Sequence, residues 1–135
     1  MKLLFYDDFK LGALKGDSVV GLSGAVSGIQ HTSPQDLLNR LIENFSQHKA
    51  GLEVAISSGT GVPLNSVRIR SPLPHPNIVA MAVNYMEDGT REAPAPINAF
   101  QKSPNAVIGS GDTMVLPDVP ATIFEGEAEM ALVIG

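Results

Sequence analysis

Glutamates stand at 125, 127 and 129 in the stretch TIFEGEAEMALVIG, Thr122 to Gly135, and an apolar run, Ala131 to Ile134, follows. On a β-strand, side chains two residues apart share a face. The spacing therefore predicts three carboxylates in a row, about 6 to 7 Å between neighbours. One reading is a wet strand face, where such charge is ordinary. The other rests on the small Gly126 and Ala128 of the opposite face and on the apolar run, which predict a strand entering a core. There, desolvation and like charge both make ionisation costly. A hard divalent cation resolves that cost, because Mg²⁺ and Mn²⁺ take oxygen ligands and keep waters that a substrate can displace. Residues at i and i+2 supply two ligands, and a third comes from elsewhere.

Lys102 follows INAF in the stretch KSPNAVIGSGD. On a strand it shares a face with Phe100. It either sits at the edge of an anionic site or pairs with a carboxylate such as Asp112 and fixes the GSGD turn. That turn has neither the spacing nor the following helix of a phosphate loop. The polar set VNYMEDGTRE, residues 83–92, follows an apolar strand candidate, and loops at strand ends commonly carry function. His31, His48 and His75 are scattered, in no metal-ligand spacing.

The chain has to supply elements that hold these residues. Its 135 residues are 44% hydrophobic and 17% charged, which predicts a folded chain with a real core. Fourteen acidic against nine basic residues, net charge −5, argue against a nucleic-acid partner. Without cysteine there are no disulfides, thiolate chemistry or cysteine–zinc sites. No stretch approaches the roughly 20 apolar residues of a membrane span, and MKLLFYDDFK lacks the apolar core of a signal peptide. The expectation is a cytoplasmic protein with no membrane partner.

Residues 1 to about 30 read as short strands, with chain reversals at Gly16-Asp17, Gly21 and Gly24. TSPQDLLNRLIENFSQHKAG reads as one helix. Ser33 is its N-cap, Pro34 its first residue, Asp36 sits at the positive end and Gly51 is the stop. Leu37, Leu38, Leu41, Ile42 and Phe45 form its apolar stripe. Pro72, Pro74 and Pro76 disfavour regular structure, so a boundary is placed there, with units at 1–72 and 73–135. IVAMAV is a buried-strand candidate, and the second half lacks helical periodicity. The fold class expected is α+β, mostly β.

Four separated segments of the second half occur in the order found in the fumarylacetoacetate hydrolase family: AMAVNY, FQKSP, GSGDTMVLP and EAEMALVIG. Over residues 78 to 135 the chain resembles that family, most of all its short bacterial members. The resemblance implies a small β-rich N-terminal domain with one helix, followed by the first part of a mixed β-fold, the β-roll of a catalytic domain. It implies that Glu127 and Glu129 bind Mg²⁺ or Mn²⁺, with Glu125 flanking the pair. A third metal carboxylate, an aspartate, is implied past Gly135, so the chain is expected to be part of a longer enzyme. The implied substrates are 2-oxo or 2-hydroxy-dienoic dicarboxylic acids of aromatic catabolism. The implied reactions are C–C bond hydrolysis, decarboxylation and isomerisation, and the implied assembly is a homodimer. Hydrolytic members carry a histidine base three residues after the NY tyrosine. Asp88 takes that position here, which favours isomerisation or decarboxylation, and Lys102 is the second catalytic candidate. The rival reading is a non-catalytic binding or structural module of the same fold that has lost the complete site.

Overall fold

The computed structural model describes residues 1–83 and 91–134. The chain opens with strands β1 (Leu3–Tyr6), β2 (Lys10–Lys15) and β3 (Ser18–Gly21). These pair antiparallel in sequence order, and a short fourth strand, β4 (Val62–Pro63), adds to β3. The β2–β3 turn has two residues, and Gly16 takes a positive φ of 57° at the first of them. A primed hairpin turn needs glycine there.

Alternation decides which side of this sheet is buried. Phe5, Leu11, Ala13 and Leu22 belong to one core cluster and Leu3 packs against it. The register Leu3↔Ala13 and Phe5↔Leu11 puts these side chains on one face. The opposite face has another cover. Gly12 and Gly21 are register partners, and the Tyr6 ring lies so close that a Cβ on Gly12 would come within 2.9 Å of it. Gly21, where a Cβ would stand 2.9 Å from the Tyr6 hydroxyl, is therefore a strand residue and not a reversal.

Two helices, α1 (Pro34–Glu43) and α2 (Phe45–Ser58), close the core. The predicted start holds: the Ser33 side chain accepts the Asp36 N–H, and Pro34 occupies the first turn. The predicted single helix with a stop at Gly51 does not. The break falls at Asn44, whose side-chain amide donates to the Arg40 carbonyl (3.3 Å) in competition with the backbone. Gly51 lies inside α2, because the fully buried Leu52 anchors the helix beyond it and one interior glycine costs only about 1 kcal/mol. α2 ends at Gly59, where a Cβ would meet Val20 Cγ1 at 2.4 Å and the Ala55 carbonyl at 2.6 Å. Lys15 Nζ donates to the Ser57 carbonyl at 2.8 Å and to that of Gly59 at 3.3 Å, placing a cation at the negative helix end. Leu37 and Leu41 of α1 are buried as expected, whereas Phe45 starts α2 and is exposed. The fold is α+β, with two helices where one was expected.

After β4 the chain returns along β1. Residues 68–70 bond to it through an isolated Tyr6↔Ile69 antiparallel bridge and an Arg70 N–H to Phe5 carbonyl bond of 2.8 Å. Past the prolines, β5 (Ile78–Met81) pairs antiparallel with β6 (Ala99–Lys102) as a separate two-stranded sheet. Of the IVAMAV run, Ala80 is buried and Val79 is exposed. No helix among the described residues is long and apolar enough to cross a membrane.

Candidate functional site

Lys102 closes β6, opposite Ile78 in the register. Its Nζ stands 5.8 Å from the centroid of the Phe100 ring, so the two share a face, as their spacing predicted. The alternative pairing with Asp112 is not formed. Asp112 Oδ1 instead takes a hydrogen bond of 2.6 Å from Arg68 Nη2, 44 residues away in sequence. Lys102 makes no ion pair among the described residues and presents its cation at an open edge.

The GSGD turn is built around Asp112. Its Oδ2 accepts the Gly109 N–H at 2.9 Å, its own N–H donates to the Gly109 carbonyl at 3.2 Å, and Gly111 takes a positive φ of 80°. The Arg68 guanidinium, together with the Gly109 N–H, holds the Asp112 carboxyl below its ordinary value. The arginine was missed in the sequence because no local pattern marks a partner so distant.

Glu127 and Glu129 lie in the stretch 123–134, which carries neither helix nor strand and is exposed throughout. The expected buried strand is not observed. A strand exists through its ladder, and no described segment pairs with this one. Leu132 and Ile134 are accordingly 83% and 82% exposed. The donor set suits a hard cation in kind, since carboxylate oxygens are what Mg²⁺ and Mn²⁺ prefer, and Mg²⁺ is often held by one or two carboxylates plus waters and substrate. Among the described residues, no three His, Asp or Glu side chains converge on a metal-sized site. The glutamate pair thus has donors of the right kind and, among the described residues, no third one beside it. Asp88 lies outside the described residues. The chain approaches it through Val83, a β-branched residue at φ 54°, a conformation such residues seldom adopt.

A cleft of about 520 Å³ lies elsewhere, between the β1–β2 turn, the start of α1 and the proline segment. Phe9, Pro34, Asn39, Pro74 and His75 line it, and none of the candidate residues does. The Gln35 amide braces its wall, accepting the His75 N–H (2.9 Å) and donating to the His75 carbonyl (3.3 Å).

No model of a known protein family matches the sequence. The chain is 29% identical to an uncharacterised protein of Archaeoglobus fulgidus over 106 residues, which is 73% of this chain and 42% of that one. Among solved structures it is similar to maleylpyruvate hydrolase from Sphingobium sp. SYK-6, crystallised with manganese(II) and pyruvate. The TM-score is 0.74 at 30% identity, over 89% of this chain and 44% of the hydrolase. A second structure of that hydrolase gives a TM-score of 0.72. A putative HpcE protein from Mycobacterium smegmatis gives 0.57 at 25% identity, over 87% of this chain and 41% of that one. These neighbours bear out the resemblance to the fumarylacetoacetate hydrolase family that the four segments carried. The chain spans less than half the length of the proteins it matches.

Proposed function

We propose that these residues form part of a divalent-metal-dependent enzyme acting on 2-oxo or 2-hydroxy-dienoic dicarboxylic acids. The reaction would be C–C bond hydrolysis, decarboxylation or isomerisation. The observation that carries this reading is the likeness, over 89% of the chain, to a hydrolase crystallised with manganese(II) and pyruvate, a 2-oxo acid. The paired carboxylates of Glu127 and Glu129 supply donors of the matching kind.

In this reading Glu127 and Glu129 hold Mg²⁺ or Mn²⁺. When bound, such a cation stabilises negative charge that develops on the oxygens of an oxo acid. Asp88 accepts a proton from water or substrate, and does so best if its surroundings raise its pKa. Lys102, at the open edge of β6, pairs with a substrate carboxylate, a contact that strengthens as water is excluded.

Calorimetric titration of the full-length protein with Mn²⁺ tests the metal assignment. Glu127→Gln and Glu129→Gln should each weaken binding at least tenfold, since loss of a mere outer-shell partner already costs roughly 10- to 100-fold. Wild-type affinity in both variants would return the glutamates to an ordinary wet surface. Asp88→Asn should lower turnover and leave Mn²⁺ affinity in place; unchanged turnover would remove Asp88 from the reaction.

A further inference from the structure

Residues 68–71 are gripped on both sides. On one side is the β1–β2 turn. Asp7 Oδ1 accepts the Arg68 N–H at 3.0 Å, the Asp7 N–H donates to the Arg68 carbonyl at 2.8 Å, and Arg70 Nε donates to the Asp7 carbonyl. The Arg70 guanidinium also lies 5.4 Å from the Phe9 ring centroid. Both Asp7 and Phe9 take positive φ, 50° and 56°, and for a bulky residue such as Phe9 that is strained. The contacts of Asp7 and Phe9 with the crossing segment help to hold the turn in that conformation.

On the other side is the GSGD turn. Gly109 lies so close to the segment that a Cβ would stand 2.9 Å from the Ile69 carbonyl oxygen and 3.1 Å from the Ser71 nitrogen. Those neighbours are backbone and cannot swing aside. Asp112 then reaches the Arg68 guanidinium and closes the grip.

Position in the chain gives this clamp its meaning. From Asp112 the chain runs on to Glu127 and Glu129. The stretch that bears the glutamates therefore leaves from the clamp. We infer that Asp112 is a positioning residue, which pins the GSGD turn to Arg68 and so fixes the origin of the glutamate-bearing stretch. As to the site itself, the inference rests on the function proposed above. The ion pair is open to water on its arginine side, with side-chain exposures of 59% for Arg68 and 26% for Asp112. Such pairs add little to stability, so the role lies in placement.

The test uses the full-length protein and its Asp112→Asn, Arg68→Met and Arg68→Lys variants, with the Asp112→Asn/Arg68→Met double. Mn²⁺ affinity, turnover, melting temperature and amide exchange at Gly109 are measured. Asp112→Asn and Arg68→Met should each weaken Mn²⁺ binding roughly three- to tenfold, with little change in melting temperature. The double should be no worse than either single. Arg68→Lys should regain most of the loss, because the contact is a single hydrogen bond. Unchanged Mn²⁺ affinity in these variants, while Glu127→Gln weakens it at least tenfold, overturns the positioning role and leaves the proposed function standing. Losses that multiply in the double also overturn it. If the glutamate variants bind Mn²⁺ normally, the metal reading fails, and Gly109 exchange then judges the clamp alone. Exchange accelerated in Asp112→Asn and Arg68→Met but not in Arg68→Lys upholds it, and unaltered exchange sinks it.

Discussion

Lys102 shows how much a spacing of two residues decides and where it stops deciding. That it shares a face with Phe100 followed from strand geometry, and the ring lies under the ammonium. Its partner did not follow, because Asp112 was taken by Arg68, a residue that nothing in the local pattern singles out. With the Asp112 pairing not formed, the proposed substrate role is the one to test. Lys102→Met keeps the length of the side chain and its contact with Phe100 while removing the charge. It should raise KM several-fold with the melting temperature unchanged, a split that steady-state kinetics beside a thermal melt will show. A lowered melting temperature with normal kinetics would make Lys102 structural after all. The glutamates teach the converse. Their alternation was plain in the sequence, but alternation states which side chains would share a face and not whether a neighbouring strand lies alongside.

At the scale of elements, capping was more legible than termination. Ser33, Pro34 and Asp36 each act within four residues of the α1 start, and all three took their expected places. Asp36 accepts from the Thr32 N–H and pairs with Arg40, which holds its carboxyl below the ordinary value. The end of the helical region was misplaced because Gly51 carries only a weak local penalty, whereas Leu52 is set by packing against the sheet. The residue that does stop α2, Gly59, is required by space: its φ is −71°, which any residue accepts, yet Val20 and the Ala55 carbonyl leave no room for a Cβ. Gly59→Ala should therefore destabilise the fold by about 1 to 3 kcal/mol, the usual cost of overpacking. Gly51→Ala, in open space inside an exposed helical turn, should stabilise it by up to about 1 kcal/mol. Urea unfolding of the two variants reads both signs, and a Gly59→Ala protein as stable as wild type would refute the steric account.

For the whole molecule, the sequence pointed to a small β-rich unit, the proline crossing and a second β region, and both sheets are present on either side of those prolines. It could not show that the crossing is clamped from both sides, since those contacts join residues 44 to 63 positions apart. The clamp has an acid signature. The Asp112 carboxyl titrates below its ordinary 3.8 when folded, so what it contributes is fully present above that pH and is lost as the pH falls through the depressed value. The charges that face it, Arg68 and Arg70, both act to lower its value. The small melting-temperature gap between wild type and Asp112→Asn should hold near neutrality and close as the pH drops below 3.8. A gap that widens with acid would contradict the assignment. The exposed run from Leu132 to Ile134 carries one last consequence. It is apolar, uncharged and rich in strand-forming residues, the composition from which chains stack into aggregates. Glu125, Glu127 and Glu129 stand just before it, the placement in which like charges oppose such stacking. If Glu127 and Glu129 hold a divalent cation as proposed, its binding offsets two of those three charges, so in this stretch metal loading and repulsion between copies draw on the same pair of side chains.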